Sequence, residues 1–305
     1  MKYVYGPVPS RRLGISLGIS PIPKKTCNYS CIYCQLGRTN HMTNTRQMFF
    51  PVEEITAEFD EVLKENLLFD IITIVGEGEP TLYLGLGALI SEIRKRIDKP
   101  IAVITNGALL YNMQVQSELS KADIVLPTMD AYDEISFKKI NRPHGCLNFE
   151  DVCRGLEDFS KIYQGLLWIE IMLMKNINDD DETLNKYAAM LKSIKYDKLY
   201  LNTPIRPPAE SNVKAVDHEK MNYAAELLRG ISINLLESQG FHSEIKDDYD
   251  AILSIIKRHP MNQFEIEGFL KTRGCNETGA LINTLQRDER VLLIHYKGYD
   301  TFRLK

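Results

Sequence analysis

Three cysteines fall within eight residues of this chain, in the run Cys27-Asn28-Tyr29-Ser30-Cys31-Ile32-Tyr33-Cys34. A C-x3-C-x2-C loop offers three thiolates to three irons of a cubane [4Fe–4S] cluster, whose usual protein ligand is cysteine. The remaining cysteines, Cys146, Cys153 and Cys275, are scattered. A fourth iron would therefore stay open to a ligand from outside the protein, as a catalytic rather than a sealed metal centre requires. Two plainer readings stand beside this one. The spacing also suits three small side chains on one buried helix face, although Pro21 and Pro23 precede the run and Asn28, Tyr29 and Ser30 are poor helix interior. With His41 the thiolates would make a Cys3His zinc site, although the spacing lacks the paired C-x2-C form.

The rest of the chain must supply a scaffold for such a loop. Short apolar, β-branched runs at residues 71–75, 101–105, 124–126, 168–173 and 198–201 read as buried strands. Amphipathic segments separate most of them. Residues 52–65 place Ile55, Phe59, Val62 and Leu63 at helical spacing, and residues 84–96 do the same with Leu86, Leu89, Ile90 and Ile93. Repeated β-then-α units with right-handed crossovers build a parallel sheet, open or rolled. Chemistry in such folds gathers at the carboxyl ends of strands. Those ends carry Gly76-Glu77-Gly78-Glu79, Asn106-Gly107 and Thr128-Met129-Asp130. The acidic run 179–182 reads as a solvated helix start.

The cysteine loop, with Tyr33 just before its last cysteine, resembles the signature of the radical SAM superfamily. Gly76-Glu77-Gly78-Glu79-Pro80-Thr81 is similar to that family's Gly-Gly-Glu-type turn, with Glu77 where many members have glycine. The resemblance implies a partial (β/α) barrel over residues 1–242, and Cys27, Cys31 and Cys34 as cluster ligands. It also implies that S-adenosylmethionine occupies the open iron, touched by Tyr33, Gly78, Glu79, Asn106, Thr128 and Asp130. Backbone carbonyls and a carboxylate suit the methionyl ammonium, and glycine permits close approach. One electron, from a donor such as flavodoxin or ferredoxin, would cleave the cofactor to methionine and a 5′-deoxyadenosyl radical.

Further blocks narrow the resemblance. Gly6-Pro7-Val8-Pro9-Ser10-Arg11-Arg12-Leu13-Gly14, Cys34-Gln35-Leu36-Gly37-Arg38-Thr39, Asn141-Arg142-Pro143 and Arg206-Pro207-Pro208-Ala209-Glu210 are similar to the Fe–S oxidoreductase branch related to wyosine synthase. That branch includes tRNA-modifying enzymes that use pyruvate, for which no lysine stands out here. The chain carries 37 basic and 41 acidic side chains, a net charge of −4. Neutralising phosphates supplies most nucleic-acid affinity, so this balance points away from tRNA and toward a free small molecule. A second resemblance, to queuine lyases, fits it. The expected reaction converts queuine to 7-aminomethyl-7-deazaguanine. A guanine-like edge presents N–H donors to a carboxylate, so Glu77 and Glu210 are the acidic substrate-binding candidates, with Asp130 third. Arg142 and Arg206 would face a carbonyl oxygen or the cofactor carboxylate. Ser10, Arg11 and Arg12 either close over the site or brace the barrel. His41, His144 and His242 show no pairing that marks an acid or base.

Near residue 245 the pattern changes. Segments 248–258, 263–272 and 276–287 read as short helices, and 291–294 and 299–304 as strands flanking Lys297-Gly298. Three helices and a hairpin suggest a winged-helix-like domain over residues 243–305. From Asp247 onward it holds nine basic and nine acidic residues, and 276–287 offers one cation, Arg287. DNA binding is therefore disfavoured against a structural role. A winged-helix redox regulator is the non-enzyme alternative. With 44% apolar and 26% charged residues the chain reads as an ordinary globular protein. The longest apolar stretches, such as 166–173, fall far short of the ~20 residues of a membrane span, and no basic-then-apolar leader is evident; the expected location is cytoplasmic.

Overall fold

The computed structural model describes residues 2–233, 241, 243, 245–275, 278–296 and 298–305. His242, and the expected domain boundary beside it, lie outside the described residues. The chain begins with an antiparallel pair, β1 (Val4–Ser10) and β2 (Gly14–Ile19), followed by two short strands, β3 (Thr26–Cys27) and β4 (His41–Met42), that flank the cysteine loop. Helix α1 (Val52–Leu63) leads to β5 (Ile71–Ile74), and α2 (Leu86–Arg96) to β6 (Ile101–Thr105). Then come α3 (Met113–Leu119), β7 (Ile124–Pro127), α4 (Glu134–Ile140), α5 (Phe149–Ile162) and β8 (Leu166–Met172). Next are α6 (Asp181–Leu191), β9 (Lys198–Asn202), α7 (His218–Leu228) and β10 (Ile231–Ser232).

Among the described residues these make an eight-stranded sheet in the order β1-β2-β5-β6-β7-β8-β9-β10, parallel from β2 onward. It is a partial (β/α) barrel. The outer face buries the helices' apolar stripes: Ile55, Phe59 and Val62 of α1 and Leu89, Ile90 and Ile93 of α2 are fully or almost fully buried against Leu17, Ile72, Ile74 and Val103. Inside, Leu13, Ala102, Ile124, Trp168 and Tyr200 pack together as a separate cluster. Side chains alternate across a strand, so the same strands feed an outer core and an interior that is polar at one end.

Strands β1, β2 and β10 were absent from the sequence expectation. Gly6, Pro7, Pro9, Gly14 and Gly18 dilute the apolar run in the first two, and β10 is too short for any period to register. Their pairing is long-range: β2 lies on β5, from Ser16↔Ile71 to Ile19↔Ile74. The acidic run does open a helix, with the Asp180 carboxylate capping α6 at Thr183 N.

The C-terminal unit comprises α8 (Asp248–Ile256), β11 (Met261–Asn262), α9 (Gln263–Thr272), α10 (Thr278–Arg287), β12 (Val291–Tyr296) and β13 (Tyr299–Leu304). Its sheet runs β11-β13-β12 over its own core of Ile252, Ile256, Phe269, Leu270, Leu285 and Phe302. It lies against the barrel. The Arg258 guanidinium stacks 4.5 Å above the Tyr5 ring and donates to Lys2 O, Tyr296 Oη donates to Pro204 O, and Arg303 donates to Gln35 O.

Candidate active site

A cavity of about 470 Å³ opens at the carboxyl ends of the parallel strands, within the usual range for small-ligand sites. Its wall includes all three clustered cysteines, the turn after β5, and Asn106 and Thr128 after β6 and β7. Glu170 of β8, Asn202 of β9, and Arg258, His259 and Glu265 of the C-terminal unit complete it.

The turn after β5 is seated directly on the cysteine loop. Lys25 N donates to Glu77 O at 2.5 Å and Glu79 N to Thr26 O at 3.0 Å. A Cβ on Gly78 would lie 1.8 Å from the Thr26 carbonyl oxygen, so only glycine lets the two segments meet. The Glu79 carboxylate is buried. Its Oε1 accepts from Thr81 N, Thr81 Oγ1 and Thr105 Oγ1, and its Oε2 from Asn106 N. Burial raises its pKa against the pull of those donors. Glu79 therefore ties the ends of β5 and β6 together.

The sulfurs have amide donors around them. Asn106 Nδ2 lies 3.7 Å and Tyr29 N 3.4 Å from Cys27 Sγ, and Asn141 Nδ2 lies 3.6 Å from Cys31 Sγ. All three cysteines are free thiols, pushed up in pKa chiefly by burial. Asn141 ends α4, whose start is fixed by a capping box between Asp133 and Ser136. Three half-buried thiols facing one cavity, with N–H donors beside them, form a donor set suited to a cluster with three protein ligands. His41 is exposed and is no part of the wall, so it does not complete a zinc set with them.

Several expected residues have different positions or partners. Asp130 is buried off the cavity, accepting from Tyr33 Oη, from Asn141 Nδ2 at 3.2 Å and from Met172 N at 2.9 Å. It anchors Tyr33, and its oxygens are engaged rather than offered to a ribose. Arg142 and Glu210 also lie outside the wall. Glu210 accepts from Arg38 at 2.8 and 2.9 Å and from Arg142 at 2.5 Å, and these two cations hold its carboxyl down to about 2. That ion-pair cluster pins the loop after β9 to the cysteine loop. Arg206 does reach the cavity. Its guanidinium spans both oxygens of Glu265 at 3.2 Å and donates to His259 Nε2 at 3.1 Å, joining barrel and C-terminal unit.

Glu77 lies on the cavity wall. Its side chain is almost fully buried, with Oε2 3.5 Å from Lys257 Nζ and 3.6 Å from Arg258 Nε. Among the described residues Oε1 has no partner. Glu170 and Asn202 on the wall were not singled out from the sequence: Arg12 pairs with Glu170, which also accepts from Asn202 Nδ2 at 3.3 Å, making a polar chain across the interior. A polar Glu170 inside the apolar run 166–173 was the available signal. Lys25 is the one lysine on the wall among the described residues.

Residues 22–188 match the radical SAM superfamily. A UPF0026 protein of Methanocaldococcus jannaschii is 35% identical over 309 residues, covering 98% of this chain and 94% of that protein. A Brachyspira hyodysenteriae protein named GTPase Obg is 42% identical over 223 residues, 73% of this chain; the match spans only 33% of that protein's length. The structure of TYW1 with a lysine–pyruvate adduct bound shares the fold, with a TM-score of 0.52 at 21% identity over 70% of this chain and 72% of that one. The fold and its cysteine-lined cavity are those of an iron–sulfur enzyme that uses S-adenosylmethionine. This chain belongs to the radical SAM superfamily, and its cofactors are a [4Fe–4S] cluster and S-adenosylmethionine. Among the described residues no helix is long and apolar enough to cross a membrane.

Proposed function

We propose that this radical SAM enzyme acts on a free, guanine-like base enclosed between the barrel (residues 1–242) and a winged-helix-like domain (residues 243–305), with queuine as the specific candidate. Cys27, Cys31 and Cys34 would hold the cluster. Tyr33, Gly78, Glu79, Asn106 and Thr128 would border S-adenosylmethionine, and Asp130 would keep Tyr33 in place. When bound, these cofactors supply hydrogen-atom abstraction through a 5′-deoxyadenosyl radical. The protein's task is to hold the substrate carbon in line and keep water away.

The observation that carries the reading is the unpartnered Oε1 of buried Glu77 on the cavity wall. A buried acceptor without a donor is costly, and the N–H edge of a guanine-like base or the secondary amine of queuine would satisfy it. Lys257 and Arg258, 3.5 and 3.6 Å from its other oxygen, hold this carboxylate in place. Arg206, held by Glu265 and His259, serves as a joint in the wall. Arg142 and Glu210 brace the loop outside. An electron donor such as flavodoxin or ferredoxin would act from the cysteine-loop side.

A second reading rests on Lys25. A wall lysine beside the cysteine loop offers the amine that a wyosine-type condensation of pyruvate with a tRNA base would need. One experiment separates the two. Anaerobic, reconstituted, reduced protein receives S-adenosylmethionine with queuine, or with unmodified tRNA and pyruvate. Mass spectrometry follows 5′-deoxyadenosine and any new base. Queuine-dependent turnover to the aminomethyl base, lost in Cys31→Ala, is expected. Turnover only with tRNA, with a borohydride-trapped pyruvate on Lys25, would replace the first reading by the second.

A further inference from the structure

Tyr29 lies between Cys27 and Cys31, and the cofactor assignments above give its side chain no role. Its ring packs edge-on against Phe137, with centroids 5.4 Å apart, inside a small cluster that includes Ala108, Ala131 and Leu147. The residue is 3% exposed and borders the cavity. Among the described residues its hydroxyl has no hydrogen-bond partner. A buried phenol that donates to nothing forfeits a hydrogen bond it had in water.

The surroundings show where the proton can go. Cys27 and Cys31 pack against that same cluster, and the buried carboxylates of Glu79 and Asp130 lie next to them through Asn106 and Asn141. Glu79 already accepts four hydrogen bonds, and Asp130 accepts from Tyr33, Asn141 and Met172. Both of these carboxylates are taken. What remains on that side is sulfur. The side chains of Asn106 and Asn141 and the Tyr29 backbone N–H already donate to Cys27 and Cys31, so a further donor from the ring that packs beside these cysteines continues an existing pattern.

We propose that the Tyr29 hydroxyl donates a hydrogen bond to a sulfur of the bound cluster, the Cys31 thiolate or an adjoining sulfide, and thereby raises its reduction potential. The inference rests on the three-cysteine cluster reading above. A reduced cluster carries one more negative charge, so a donor to its sulfur stabilises the reduced form more than the oxidised one. Tyr29 is thus a residue that tunes the electron step, acting through the cluster and not on the substrate.

The test is a potentiometric titration of the full-length, anaerobically reconstituted protein, read by the electron paramagnetic resonance of the reduced cluster, with no substrate present. Tyr29→Phe keeps the ring against Phe137 and removes the donor. The midpoint should move to a more negative potential, with iron and sulfide per chain unchanged. Placing 3-fluorotyrosine at position 29 makes the phenol more acidic and a stronger donor, so the midpoint should move to a more positive potential. Opposite shifts are what a hydrogen bond produces and what altered packing does not. Unchanged midpoints, or two shifts of the same sign, would overturn the proposal. If Tyr29→Phe fails to take up iron, the fluorotyrosine protein decides alone. Wild-type protein that binds no iron would sink the cluster reading itself, a separate and earlier failure.

Discussion

At the scale of single residues, the site depends on atoms that are absent as much as on those present. Gly78 has no Cβ, and that vacancy is filled by the carbonyl oxygen of Thr26, one residue before the first clustered cysteine. Gly78→Ala must push the turn after β5 off the cysteine loop. We expect a loss of about 1–3 kcal/mol in stability, as for other overpacked sites, together with weaker S-adenosylmethionine binding. Urea unfolding and calorimetric titration would check both, and wild-type values for each would contradict the close packing. The neighbouring glutamates divide the work. Glu79 is saturated with donors, whereas Glu77 keeps one oxygen unpartnered among the described residues. The sequence reading gave Glu79 to the cofactor and Glu77 to the substrate but did not show Glu79 joining two strand ends, because two of its four donors come from Thr105 and Asn106 at the end of the next strand.

Whole elements show the same division between local and distant causes. Strands β5, β6, β7, β8 and β9 are legible as apolar runs because burial on both faces demands them. Helices α1 and α2 are legible from their 3.6-residue stripes. The β1–β2 pair is not, since prolines and glycines interrupt its pattern and its place is set by pairing with β5. The C-terminal helices and hairpin follow the expected order, yet nothing in their own sequence says they form a wall of the cavity. That depends on pairs such as Arg206 with Glu265, which are 59 residues apart. Arg206→Met should remove this charge-assisted joint at a cost of about 1–3 kcal/mol. Amide exchange in α8 and α9 should then quicken while β5–β8 keep their protection. Equal protection in both proteins would mean that the joint contributes nothing.

For the molecule as a whole, the joint between barrel and C-terminal unit carries a pH dependence. His259 packs beside Phe241 and accepts from Arg206, and burial followed by Arg206, Arg11 and Arg12 holds its pKa well below the ordinary 6.5. Above that value the imidazole is neutral in folded and unfolded chains alike. As pH falls through 6.5 the unfolded chain binds a proton that the folded one refuses, so stability drops by up to about 1.4 kcal/mol per pH unit. Urea midpoints measured at about pH 7.5 and about pH 5.5 should fall more steeply for the wild type than for His259→Gln. Parallel curves would place the imidazole in solvent.

What the amino-acid sequence determined by itself is the chemistry that depends on near neighbours. Three thiols in eight residues, a Gly-Glu turn after a buried run and alternating strand and helix periods carry the resemblance to the radical SAM superfamily, because spacing, turn geometry and amphipathic period are local properties. Tertiary structure alone decided which polar groups share the cavity. It turned Glu210 and Arg142 outward into an ion-pair cluster, sank Asp130 behind Tyr33, brought Arg12 against Glu170, and folded Glu265 and His259 onto Arg206. Each of those outcomes depends on contacts between residues far apart in the chain, where burial and the competition for hydrogen-bond partners act only after the sheet has formed.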